Sequence, residues 1–164
     1  MGSGLVSSFS HPGGNITGVT DVDIDLAQKR LDLLKQALPS LKRVGALGNP
    51  SDQVWQPEWK QARAAAEKLD LELLPVLVTS ADELESVFTG LNRRVQALLV
   101  APQAFFSVHI DRLVELEYRT KLPAIHEVRL FADSGALMSY GPNPRALLFK
   151  TARCRQDLKR GEAG

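Results

Sequence analysis

Gln96-Ala-Leu-Leu-Val-Ala-Pro-Gln-Ala-Phe-Phe106 decides the fold. Ala97 to Ala101 is an uninterrupted apolar run closed by Pro102, followed by an amphipathic helix pattern. Periodicity alone does not separate a buried strand from a buried helix, but a length of about five and the proline stop favour a central strand. In an open α/β sheet, ligands sit outside the carboxyl ends of such strands. Pro102 to Phe106 is therefore the first place to look for function.

Working outward, Arg43-Val-Gly-Ala-Leu47 is a second strand, ended by the turn residues Gly48-Asn-Pro-Ser-Asp52. Leu71 to Val78 is a third, which Pro75 demotes to a sheet edge because proline cannot donate to a ladder. Pro123-Ala-Ile125 opens a strand that ends at His126-Glu-Val-Arg129, and Ala136-Leu-Met-Ser-Tyr140 is the last, stopped by Gly141-Pro142. Helical patterns alternate with these. Leu26, Leu31, Leu34 and Leu38 form an apolar stripe with Lys29, Arg30 and Lys35 opposite, capped by Asp25 and stopped by Pro39. Glu58 to Leu69 is alanine-rich with Pro57 in a first turn, and Asp82 to Asn92 is capped by Thr79 or Ser80. Phe106 to Thr120 turns Ile110, Leu113, Val114 and Leu116 inward, and a short helix carries Leu130 and Phe131. This alternation, at about thirty residues per unit, is the rhythm of βαβ units. It predicts an α/β fold of three layers around an open, mostly parallel sheet in flavodoxin-like order. Strand 43–47 lies beside strand 97–101 and their crossovers go to opposite faces.

At 164 residues the chain can bury about 70% of its unfolded surface without staples. A net charge of +1 gives no reason to expect nucleic acid as a partner. One cysteine, Cys154, cannot form an internal disulfide. No apolar run approaches the roughly eighteen residues of a membrane span. Met1-Gly-Ser-Gly-Leu-Val has neither the basic region nor the apolar core of a signal peptide, so no export signal is expected in the chain as written.

The strand order would bring Asn49, Ser51, Gln103 and Phe105 to one crevice, joined by Glu127 from the neighbouring strand end and by Tyr140. Each has a plainer reading: Asn49 shapes its turn, Ser51 or Asp52 caps the next helix, and Tyr140 serves structure. Trp55 and Trp59 share a helix face, and Trp55, close to the strand tip, could reach a ligand. His11 and His109 read as solvated residues. Gly-x-Gly-x-x-Gly, Walker A, Gly-x-Ser-x-Gly and zinc-ligand spacings do not occur. The expectation is a non-catalytic binding site for a small polar or zwitterionic molecule, without metal or cofactor.

Three segments in order carry a family resemblance: Gly4-Leu-Val-Ser-Ser-Phe-Ser-His-Pro-Gly-Gly-Asn-Ile-Thr-Gly-Val19, Lys29-Arg-Leu-Asp-Leu-Leu-Lys-Gln-Ala-Leu-Pro39 and Gly135-Ala-Leu-Met-Ser-Tyr-Gly-Pro142. Together they resemble the ABC-transporter substrate-binding proteins of the tryptophan/tyrosine-binding-like group. Leu122-Pro-Ala-Ile-His-Glu-Val-Arg129 also matches, with His126 where that family more often has tyrosine. The resemblance implies one lobe of a type I periplasmic binding protein, truncated to the second lobe and its crossing segments. Residues 1–20 would be the end of a first-lobe helix and a crossing strand. Residues 21–136 would be the ligand-binding lobe, and 137–164 the return strand and a C-terminal helix. It further implies a periplasmic receptor delivering a solute, an amino acid or a similar metabolite, to a membrane permease.

Two other readings compete with a receptor. One is a non-binding fragment or assembly module, a homodimer paired through the apolar face of helix 145–160. The other is the effector domain of a transcription regulator, although the chain shows no helix-turn-helix pattern.

Overall fold

Ala97–Val100 is the strand at the centre of the sheet, and all four of its residues are apolar because both of its faces are covered. Ala97 and Leu99 face one helical layer, Leu98 and Val100 the other. The computed structural model describes residues 26–142. In chain order it runs α1 (Leu26–Ala37), β1 (Arg43–Gly48), α2 (Trp55–Lys68), β2 (Glu72–Leu77), α3 (Glu83–Phe88), β3 (Ala97–Val100), α4 (Ala104–Val108), α5 (Ile110–Thr120), β4 (Ala124–His126), α6 (Arg129–Asp133) and β5 (Met138–Ser139). A 3-10 turn, Leu91–Arg93, precedes β3.

The five strands lie in the order β2-β1-β3-β4-β5 and every pairing is parallel, the flavodoxin-like order expected from the sequence. Val44 pairs with Ala97 and Leu47 with Val100, so β1 and β3 end side by side. Pro75 stands on the edge strand β2, where its missing N–H is harmless.

One face of the sheet is covered by α1 and α2. Leu31 and Leu34 of the first and Ala62, Ala65 and Ala66 of the second close over Val44, Ala97, Leu99 and Ile125. The small alanine side chains let α2 lie close to the sheet, and the Lys35 ammonium donates to the Leu69 carbonyl, tying α1 to the end of α2. On the opposite face Leu84, Phe88, Phe106, Ile110, Leu113 and Leu116 pack on Val76, Leu98, Val100 and Ala124. The chain thus leaves β1 through α2 on one face and β3 through α4 and α5 on the other. The boundary between β1 and β3 is the topological switch point, the place where open α/β sheets bind their ligands.

Several local expectations differ. The helix expected from Asp82 ends at Phe88, because Thr89 turns extended (ψ 115°) before the 3-10 turn. The helix expected from Phe106 is two helices, broken at His109, whose ring packs against Phe105. Helix α2 begins at Trp55, ahead of the expected Glu58. Arg30, read as solvated, is buried. The expected cap at Asp25, strand 16–20, Cys154 and helix 145–160 with its proposed pairing all lie outside the described residues.

Candidate functional site

The tip of β1 is built by its own side chains. The Asn49 side-chain oxygen accepts from the Ser51 N–H at 2.9 Å, and Asp52 accepts from the Val54 N–H at 3.1 Å. The Asp52 carbonyl also accepts from the Trp55 N–H at 3.1 Å, leading the loop into α2. These two turns satisfy backbone donors that strand and helix leave over.

Gln103, just past β3, spans the switch point. Its Oε1 accepts from the Asn49 N–H at 2.7 Å and its Nε2 donates to the Asn49 carbonyl at 3.1 Å, and the residue is 2% exposed. Gln103 thus imitates a strand partner for Asn49 where the ladder between β1 and β3 has ended. Its amide is engaged with backbone, so its geometry is that of a clamp on the site's wall. Phe105 is half-buried and its ring meets Phe106 edge-on, on the α4 and α5 side of the sheet. Ser51 is exposed.

Trp55, read from the sequence as able to reach a ligand, is packed on its own strand tip. It is 4% exposed and its ring lies over Gly48, where an added Cβ would sit 1.9 Å from a ring carbon. Trp59 stacks on Trp55 with ring centroids 5.8 Å apart. Gly48→Ala must push Trp55 off the strand tip, and overpacking of this kind costs about 1–3 kcal/mol. The expected result in a urea titration is a loss in that range, with tryptophan emission shifted to the red. An unchanged midpoint and emission would show that the ring has room to move.

Alternation along the chain after β4 sends neighbouring residues to opposite faces. His126 points to the α5 side, where it meets Glu117 and stacks on Phe131 with centroids 4.0 Å apart. Glu127 comes into electrostatic reach of Arg30 on α1 and Glu58 on α2. Gly141 lies so close to Glu127 that an added Cβ would sit 2.2 Å from its carbonyl oxygen, and the Tyr140 N–H donates to the His126 carbonyl at 2.8 Å. The Tyr140 residue itself is 40% exposed.

Arg30 is not among the residues that the sequence places at the crevice, yet it reaches the end of β3. It is 4% exposed, and its Nη1 donates to the Val100 carbonyl at the end of β3, at 3.4 Å. Burial lowers its pKa, opposed by the fields of Glu127 and Glu58. Burial also pushes the Glu58 carboxyl up to about 7, with Arg30 pulling it down and Glu127 and Asp52 adding to the rise. Around the switch point lie amides and an aromatic toward β1 and α4, and a mixed-charge group, Arg30, Glu58 and Glu127, between α1, α2 and the end of β4. Among the described residues no group of three or more His, Cys, Asp or Glu could hold a metal ion.

A family model described as ABC transporter substrate binding protein matches residues 1–163. The chain belongs to that family. A tyrosine-binding protein of Clostridioides difficile (strain R20291) is 24% identical over 162 residues, 98% of this chain and 46% of the relative. An ABC domain from Streptococcus pneumoniae, solved in complex with L-Trp, superposes with a TM-score of 0.80 at 28% identity, covering 96% of this chain and 55% of that one. A conserved domain protein from Vibrio cholerae superposes with a TM-score of 0.82 at 19% identity, covering 98% of this chain and 53% of the other, a likeness of fold. The chain described here therefore spans about half the length of the relatives it matches.

Proposed function

We propose that this chain supplies one ligand-contacting lobe of a periplasmic or extracellular receptor that carries an amino acid to a membrane permease, without catalysis. The observation that carries this reading is the placement of Asn49, Ser51 and Glu127 at strand ends around the switch point, within a substrate-binding family. Asn49 spends its side-chain oxygen on Ser51, which leaves its NH₂ group as a donor. Phe105 adds apolar area, and Tyr140 stands at the end of the last strand, in the segment that leads out of the lobe. Residues 21–136 make the lobe in this reading, with 1–20 and 137–164 as crossing segments. Relatives that are a tyrosine-binding protein and an L-Trp complex favour an aromatic amino acid.

One jaw encloses only part of a ligand, so affinity is expected near 1 mM, about −4 kcal/mol. Amide chemical shifts of the verified monomer, titrated with L-tryptophan or L-tyrosine, check this. Shifts confined to residues 48–54, 101–106 and 126–128 and saturating in the millimolar range are expected. A tight stoichiometric isotherm from monomer would refute the one-jaw reading, and no shifts at about 10 mM would refute the receptor reading.

A further inference from the structure

Ser139, the last residue of β5, is in register with His126, the last residue of β4. The pairing runs one step further, because the Tyr140 N–H donates to the His126 carbonyl at 2.8 Å. Gly141 and Glu127 come next on the two chains, and here the backbones are too close for a side chain at 141. A Cβ on Gly141 would sit 2.2 Å from the Glu127 carbonyl oxygen, 3.0 Å from its carbonyl carbon and 2.6 Å from its Cγ.

Glycine suits such a place for one of two reasons, a left-handed backbone or want of space. Gly90 and Gly135 answer to the first, with φ of 72° and 104°. Gly141 is not among the glycines of positive φ, so its reason is space. Its neighbour also differs from the one at Gly48. There the obstacle is the Trp55 ring, a side chain that can turn away. Here it is the peptide of Glu127 and the root of its side chain. A new χ1 at Glu127 would clear the Cγ and redirect the carboxylate, but only backbone movement clears the carbonyl. The outgoing segment is not free to yield instead, since it is pinned by the Tyr140 bond and by the pairing of Met138 and Ser139 with β4.

We propose that Gly141 is a positioning residue for Glu127: lacking a side chain, it lets the segment that leaves β5 lie directly on the β4 tip, and that contact fixes the Glu127 backbone and the direction of its carboxylate. The bearing of this contact on ligand binding rests on the receptor reading above, whereas the contact itself does not. It ties a candidate site residue to the chain that leaves the sheet. A displacement of Pro142 is passed through Gly141 to Glu127, because close-packed backbone transmits strain and does not absorb it.

The test compares the native chain with Gly141→Ala and, as a control, Gly135→Ala. The control is a strained substitution in the connection between α6 and β5, where φ is 104° and an added Cβ would meet only Val114, at 3.6 Å. The readouts are the Glu127 and Val128 amide shifts, hydrogen exchange at the Tyr140 N–H and the titration of the Glu58 carboxyl, whose midpoint of about 7 includes the field of Glu127. In Gly141→Ala the two amides should shift, the Glu58 midpoint should move with the displaced carboxylate, and Tyr140 exchange should quicken about tenfold or more. Gly135→Ala should lose stability and leave the amide shifts and the Glu58 midpoint where they are.

An unchanged Glu127 amide or an unchanged Glu58 midpoint in folded Gly141→Ala overturns the inference, since the outgoing segment has then lifted away alone. Should Gly141→Ala fail to fold, the native chain decides: a nuclear Overhauser contact between the Gly141 Hα and Glu127 Hγ protons is expected, and its absence overturns the inference. Titration with L-tryptophan separates this inference from the receptor reading. Binding should be weaker in Gly141→Ala than in Gly135→Ala. Equal binding with Glu127 displaced overturns the bearing of the contact on the ligand. Absence of binding by the native chain overturns the receptor reading alone, and the Glu127 and Glu58 signals still decide whether Gly141 positions Glu127.

Discussion

Replacing Glu117 by alanine will destabilise the chain by about 3–5 kcal/mol, the range for removing one member of a buried charged or hydrogen-bonded pair. His126 is fully buried at the end of β4 and Glu117 nearly so on α5. The His126 Nε2 lies 3.0 Å from one carboxylate oxygen and 3.3 Å from the other, and only the longer contact is aligned as a hydrogen bond. The other ring nitrogen, Nδ1, has no hydrogen-bond partner. Glu117 is therefore the polar partner on which the imidazole depends, and its removal leaves both ring nitrogens buried and unsatisfied. The face-to-face contact with Phe131, 4.0 Å between centroids and 11° from parallel, survives the substitution and does nothing for the nitrogens. The double variant Glu117→Leu, His126→Phe should recover most or all of the loss, because apolar groups of similar volume avoid the desolvation that the pair must offset. Urea denaturation of the four proteins in a double-mutant cycle measures this. A loss below about 1 kcal/mol for Glu117→Ala would mean that water enters and replaces the carboxylate.

The pair also shows what a single sequence conceals. Glu117 follows Leu113 by four residues and so stands on the apolar face of its helix, and His126 follows Ala124 by two in a strand, on the same side of the sheet. Each placement can be read from periodicity, but their meeting depends on which helix covers β4. The strand Ala97–Val100 was legible because covering both faces demands apolar residues throughout, a signal that needs no knowledge of partners. The strand order was legible for a related reason, since one proline at position 75 marked an edge.

Arg30 shows where that reading fails. Assigning the buried face of α1 from Leu26, Leu31, Leu34 and Leu38 placed Arg30 opposite it, although Leu26, Arg30 and Leu34 are spaced by four and share a stripe. A long side chain on the edge of an apolar stripe can run along the surface to a distant acceptor, and the Val100 carbonyl is that acceptor. Glu58 left no local signal, since its carboxyl is raised first by burial, with the fields of Glu127 and Asp52 adding to the rise against that of Arg30. Asn49 and Gln103 do follow the ends of β1 and β3, but an amide that holds a backbone and one that greets a ligand are the same residue type in a sequence.

That ambiguity gives Gln103→Ala its value. The substitution removes both hydrogen bonds to the Asn49 backbone at a site that is 2% exposed. The Asn49 carbonyl keeps its contact with the Asp52 N–H at 3.2 Å, whereas the Asn49 N–H loses the acceptor that held it. Leaving that one donor unsatisfied costs about 1–3 kcal/mol, and a loss in that range is expected in urea denaturation. The effect should be local as well as global: hydrogen exchange at Asn49 and Ser51 should accelerate well beyond that of Val44 to Leu47, which remain in the ladder with β3. Gln103→Glu keeps an acceptor for the Asn49 N–H but sets a second acceptor against its carbonyl, and should fall between alanine and the native residue only when that carboxyl is protonated. Unchanged exchange at Asn49 in Gln103→Ala would refute the clamp. If Gln103 acts by holding the wall, L-tryptophan binding in Gln103→Ala must weaken in step with the opening of the β1 tip. A loss of binding without faster exchange at Asn49 would place the Gln103 amide on the ligand itself.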